Sequence, residues 1–279
     1  MLMLALLVTG CVRLALQFSP SLIPHMTETL FEECDPELAR QSLPADLKLM
    51  EGLLKNDPDN RRLLTALCIG FTGYSLLFVE DENRERASKL YLRAMDYGAR
   101  ALGPDMGSLE ELTTDKKTLQ RTLISLGEPG HVALFWFAMS WNAWINLNRD
   151  QPAALAQLGS AQSCVERVLE IKPDYLYGAP YILMGSILAG RPRMLGGDED
   201  RARQCFERAL ALSNGTFLLV HYYFARYYAV QVQNKDLFLR LLEEIESSPA
   251  DGLKEVCLIN AVIKQRVQGV RQLSGELFL

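Results

Sequence analysis

Ala202-Arg203-Gln204-Cys205-Phe206-Glu207-Arg208-Ala209 places a small residue, an aromatic and a second small residue on one face of a helix. Small residues let a neighbouring helix approach closely, and the large one fills the gap beside them. A single A-x3-F-x2-A pattern means little, because any amphipathic helix can produce it. Here the pattern recurs. Ala87-x3-Tyr91-x2-Ala94 and Ala161-x3-Val165-x2-Val168 precede it, and Leu237-x3-Leu241-x2-Glu244 follows. Pro173, Asn214 and Pro249 stand at one common offset after the second, third and fourth copies, where a helix stop belongs.

Each copy lies behind a first-helix segment. Trp136-x2-Met139-Ser140 and Tyr181-x2-Met184-Gly185-x2-Leu188 are good matches to one another, His221-x2-Phe224-Ala225-x2-Tyr228 is fair, and Ile69-Gly70 is the weakest. Strand-like alternation of Val, Ile and Thr is almost absent. Apolar residues recur instead at three- and four-residue spacing. Turn signals separate these runs at Asn56-Asp57-Pro58, Gly103-Pro104, Pro129-Gly130, Lys172-Pro173-Asp174, Gly196-Gly197-Asp198, Asn214-Gly215 and Ser248-Pro249. This is the tetratricopeptide pattern. It predicts an all-α chain: a right-handed superhelix of about four helix-turn-helix units. An inserted helix is expected near Ser108–Ser125 and a C-terminal capping helix over Gly252–Leu273. The chain then divides into a signal segment at 1–10, an N-terminal tether and leading helix at 11–43, and a single all-α domain at 44–279.

The N-terminus reads Leu7-Val8-Thr9-Gly10-Cys11: a short apolar run, a small residue and then cysteine. That is the form of a bacterial lipoprotein signal. On this reading residues 1–10 are removed, Cys11 becomes the lipidated N-terminus, and the chain works in the periplasm, held to a membrane by acyl chains. No Lys or Arg precedes the apolar run, which departs from the usual export signal. The plainer alternative is an apolar N-terminal helix that contains a cysteine.

A net charge of −5 and a pI near 5.4 give no support to nucleic acid or an anionic membrane surface as partner. Beyond the N-terminus no segment is expected to reach the roughly 20 apolar residues that span a bilayer. The cysteines are Cys11, Cys34, Cys68, Cys164, Cys205 and Cys257, and none forms a C-x-x-C pair. Cys68, Cys164, Cys205 and Cys257 sit in apolar helical patterns and read as small buried hydrophobes, although one bridge is not excluded.

First helices of such a solenoid line its concave surface. The positions expected there include Phe71 and Tyr74, then Leu134, Phe137, Trp141 and Trp144, then Ile182, and finally Tyr222 and Arg226. Arg226 is the only charge among the inward positions of the four helices, so the face is apolar and aromatic. A face of that kind marks a ligand or partner site, or else it is plain core beneath the insertion or the C-terminal helix. A covered groove that leaves a tunnel would satisfy both.

No catalytic constellation is visible. His25, His131 and His221 stand apart without metal-ligand spacing, and His221 occupies a packing position. There is no nucleophile elbow, P-loop or dinucleotide fingerprint. Asp198-Glu199-Asp200 reads as a helix N-terminus, and Glu243-Glu244-Ile245-Glu246 as a solvated face. Arg191-Pro192-Arg193 is a compact basic loop, either ordinary surface or a contact for a partner or anionic group. The expectation is a chain that is not an enzyme and needs no metal or cofactor.

The lipidation motif at Cys11, the four divergent units, the segment Phe135-Trp136-Phe137-Ala138-Met139-Ser140-Trp141-Asn142-Ala143-Trp144, and Leu183-Met184-Gly185-Ser186-Ile187-Leu188 with Arg191-Pro192 together resemble the T component of tripartite ATP-independent periplasmic (TRAP) transporters. The resemblance implies a periplasmic lipoprotein that docks a solute-binding protein beside a membrane permease. It also implies a homotrimer with a tunnel through each protomer for a hydrophobic small molecule. The alternative function is a general envelope scaffold that grips a peptide or helix of another protein in its groove.

Overall fold

Polar side chains cap several of the helices they precede. The computed structural model describes residues 21–103 and 107–278, so the signal segment and Cys11 lie outside the described residues. Among those residues there is no strand. The α-helices longer than a single turn are α1 (Leu22–Glu32), α2 (Pro36–Leu54), α3 (Arg61–Tyr74), α4 (Arg84–Leu102), α5 (Leu109–Thr114), α6 (Lys116–Ser125), α7 (His131–Leu147), α8 (Leu158–Ile171), α9 (Ala179–Ala189), α10 (Glu199–Ser213), α11 (Leu218–Tyr223), α12 (Lys235–Ser247) and α13 (Cys257–Gln272). Asn60, Asn83, Asp198 and Asn234 each accept a hydrogen bond from a backbone N–H in the first turn of α3, α4, α10 and α12. The expected insertion helix is two helices. Asp115 ends α5 and its side chain then caps α6 by accepting from Lys117 N at 2.9 Å.

The chain divides into two compact units. Of the described residues, one unit gathers 21–30 with those between Glu37 and Ser160; the other gathers Phe31–Pro36 with those from Ala161 to 278. In the first unit α3 packs along α4, and α4 along α7. Ala87, Tyr91 and Ala94 on α4 are fully buried. A Cβ added at Gly98 would lie 3.0 Å from both Cys68 Sγ and Phe137 Cβ, so the close passage of these helices depends on the missing side chain. In the second unit α9 packs along α10, and α11, α12 and α13 pack on one another. Ala202, Phe206 and Ala209 are fully buried. A Cβ at Gly185 would stand 3.0 Å from the Phe206 ring, which is the small-against-large fit read from the sequence.

Several expectations need correction. On α12 Leu241 is buried as expected, but Phe238 and Ile245, one position later than Leu237 and Glu244, take the other two buried places. A buried carboxylate without a partner loses its hydration, so the helix turns Glu244 outward and buries the aromatic ring. Pro44 lies inside α2, where it forfeits one backbone hydrogen bond while Leu43 and Leu47 beside it are buried. One run, Arg61–Val79, is 19 residues long and apolar enough to cross a membrane, contrary to the sequence reading; 67% of its apolar window is buried inside the protein, as in a core helix. Its last turn, Ser75–Val79, is π-helical, and so is Phe224–Ala229 at the end of α11.

Cys257 is not a plain buried hydrophobe, because it forms a disulfide with Cys34. The bridge joins the segment after α1 to the start of α13, and Lys254 adds an ion pair to Glu32 at 3.0 Å. Cys68 and Cys164 are buried as expected, and burial pushes the Cys68 thiol up to about 12, keeping it unreactive. The bridge spans 223 residues of sequence, so it removes a large loop entropy from the unfolded chain. Replacing Cys34 and Cys257 by Ala is expected to cost about 2–5 kcal/mol, read as a lower urea midpoint, with the wild type matching the variant once reductant is added.

Candidate functional site

The nine positions expected on a concave face divide sharply by burial. Leu134, Phe137 and Trp141 are fully buried, and Phe71, Ile182 and Tyr222 nearly so. Tyr74 and Trp144 are half-buried and Arg226 is exposed. Trp141 is satisfied where it sits: its indole N–H donates to Gln157 Oε1 at 2.7 Å, and its ring lies 5.4 Å from that of Phe137. Within the first unit Tyr74 and Trp144 come together, packed against the buried cluster of Val79, Ala87 and Tyr91. Tyr91 donates its hydroxyl to Glu80 at 2.5 Å, and the Arg86 guanidinium lies 5.8 Å over the Tyr74 ring.

Phe71 belongs to a different arrangement, one the sequence reading missed. The Arg93 guanidinium covers its ring at 4.7 Å and Tyr97 stacks on it at 5.8 Å. Arg93 also pairs with Glu51, which accepts from Lys48 at 2.6 Å and from the Tyr97 hydroxyl at 2.7 Å. Burial pushes the Glu51 carboxyl up, but the bonds from Lys48 and Tyr97 and the Arg93 charge outweigh it and hold the group below the ordinary carboxylate value. This network locks α2 onto α4. Glu51 and Arg93 are 42 positions apart on different helices, and no local pattern links them.

The second unit contains a cavity of about 340 Å³. Its floor is Phe224 and Tyr228 from the π-helical turn, with ring centroids 5.2 Å apart; Phe224 also stacks on Phe206 at 4.9 Å. The rim holds Arg203 and Glu207, paired at 2.8 Å, together with Asp236 and Arg240. Chemically it offers an aromatic floor under a charge-balanced rim. Phe224 and Tyr228 were visible as first-helix packing residues. The rim was not, because α10 and α12 each contribute two of its charges.

His221 is a packing residue, as read. It is buried, with Nε2 3.2 Å from Glu244 Oε2. Burial pulls its pKa below the ordinary histidine value, and the Glu244 carboxylate only partly offsets that. The acidic run is exposed except for Ile245, yet two members have partners: Glu244 meets His221 and Glu246 meets Arg271 at 2.8 Å. Among the described residues no three His, Cys, Asp or Glu side chains converge as metal ligands.

Comparison with known proteins gives two matches. A family model described as TRAP transporter T-component matches residues 32–278. An uncharacterized protein of Treponema pallidum (strain Nichols) is 27% identical over 197 residues, covering 65% of this chain. The chain spans about three-fifths of that relative's length, the aligned part being 61%.

The His221 environment gives a pH prediction. The unfolded chain takes up a proton at this residue near pH 6.5, while the folded chain resists it, so stability falls as the pH drops below about 7. Melting curves between pH 7.5 and about 5 should show a falling Tm, and His221→Gln should flatten the curve in that window.

Proposed function

We propose a function from one premise: this chain belongs to the TRAP transporter T-component family. The observation that carries the proposal is the length of the match, which takes in nearly all the described helices. The protein is the periplasmic accessory component of such a transporter, anchored to a membrane through lipid on Cys11 after removal of residues 1–10. It docks the transporter's solute-binding protein and does no chemistry of its own. Its helix pairs form a tetratricopeptide-like superhelix, and it works as a homotrimer. The Cys34–Cys257 disulfide supports export, because such bonds persist in oxidising compartments such as the bacterial periplasm.

In this reading the apolar first-helix residues of each unit offer a surface to a hydrophobic small molecule. In the first unit Tyr74 and Trp144 are the solvent-facing members, with Trp141, Phe137 and Leu134 holding the wall behind them in place; in the second unit Arg226 is the exposed member. An aromatic pair of this kind, with one end packed and the other in water, is the usual anchor of a binding surface.

Titrating the purified mature chain with the solute-binding protein of the same transporter should give a complex at micromolar concentration, and no complex there overturns docking. Tyr74→Ala with Trp144→Ala should weaken binding of partner or ligand while the fold persists. Trp141→Ala should instead cost about 3–5 kcal/mol of stability, measured by urea denaturation. Cys11→Ser should move the protein from the membrane fraction to the soluble periplasmic fraction.

A further inference from the structure

The loop between α9 and α10 presents apolar side chains to water from a held backbone. Met194 is 94% exposed and Leu195 53% exposed, which makes Met194 the most exposed large apolar side chain among the described residues. Arg193, next to them, is exposed and has no ion-pair partner there. Loop tips normally carry small or polar residues, since exposed Met and Leu bring nothing to the fold.

The loop is not slack. Leu195 N–H donates to Pro192 O at 2.9 Å, Gly196 N–H to Arg193 O at 3.1 Å and Gly197 N–H to Pro192 O at 3.1 Å. At its base Asp198 N–H donates to Leu188 O at 3.1 Å, and Arg191 Nη1 donates to Gln162 Oε1 at 2.8 Å. Gly196 has φ +85°, a conformation that side chains rarely adopt, and a Cβ at Gly197 would collide with the Arg191 carbonyl. The sequence Arg193-Met194-Leu195-Gly196-Gly197 is therefore written for this turn, and the turn projects Arg193, Met194 and Leu195 together.

We propose that this loop is a docking knob, with Met194 and Leu195 entering an apolar pocket on the solute-binding protein and Arg193 meeting a carboxylate on the pocket's rim. The proposal rests on the docking reading above and adds the surface that does it. A preorganised apolar anchor beside one free guanidinium is the composition of an interface hot spot. A lipid surface fits less well. Asp198, Glu199 and Asp200 follow the knob directly, so the loop lacks the sustained basic patch that anionic headgroups attract.

The test is a binding titration with the purified solute-binding protein of the same transporter, using wild type, Met194→Asp, Arg193→Glu and Met194→Leu. Met194 makes so little contact that Met194→Asp should keep the wild-type circular dichroism and Tm. It should raise Kd at least tenfold, mainly through faster dissociation, and Met194→Leu should restore binding. Arg193→Glu should slow association and lessen its dependence on salt. Wild-type affinity in Met194→Asp overturns the knob and leaves docking intact, whereas no binding by the wild type overturns both. Two further outcomes also overturn it. One is loss of co-sedimentation with phosphatidylglycerol-containing vesicles at unchanged protein binding; the other is a changed oligomeric mass in Met194→Asp at unchanged protein binding.

Discussion

Where the Phe206 ring lies against α9, there is room for it only because residue 185 has no side chain: a Cβ there would stand 3.0–3.1 Å from three ring atoms. Gly98 plays the same part in the first unit against Cys68 and Phe137. Close passage of two helices brings more atoms into van der Waals contact than any single large residue could alone. It also fixes the register, since the small residue and the ring must meet at one height. Most of the second unit follows from that fit. Phe206 stacks on Phe224, Phe224 meets Tyr228, and those rings floor the cavity on whose rim Arg203 and Arg240 sit.

The small-against-large rule does not account for everything that holds the units together. In the first unit a nearly buried Glu51 is shared among Lys48, Tyr97 and Arg93, and Arg93 in turn covers Phe71. A carboxylate in that position is tolerable only because each bond favours its charged form. In the second unit the Cys34–Cys257 bridge and the Lys254–Glu32 pair tie the segment after α1 to the start of the last helix. Both devices connect residues far apart in sequence, and both leave the repeat pattern itself untouched.

The candidate site was legible in composition but not in accessibility. Spacing on the first helices picked out an apolar, aromatic set, and every member but Arg226 is indeed at least half-buried. Spacing could not separate Trp141 from Trp144, which lie on one face of α7 three residues apart. The first is sealed and bonded to Gln157; the second keeps an edge in water. That difference comes from Gln157 and from the cluster around Tyr91, not from anything within α7. The basic loop at Arg191 shows the converse. Its charges stand out in the sequence, while nothing in the local pattern sets apart Met194 and Leu195, whose exposure only the fold decides.

The sequence by itself determined what local chemistry controls. Helix starts follow from Asn60, Asn83, Asp198 and Asn234, whose side chains each accept from the backbone N–H three residues on. Three buried triads, Ala87/Tyr91/Ala94, Ala161/Val165/Val168 and Ala202/Phe206/Ala209, follow from helical period, and the family could be read from motifs that survive in order along the chain. Tertiary structure alone decided the partner of Cys34, the network around Glu51, the one-residue shift that buries Phe238, and which apolar residues reach water. The physical reason is range. Capping and periodicity act within one or two turns of a helix, where sequence neighbours are spatial neighbours. Disulfides, buried ion networks and solvent exposure depend on which distant segments are brought together, and that is settled only when the helices pack.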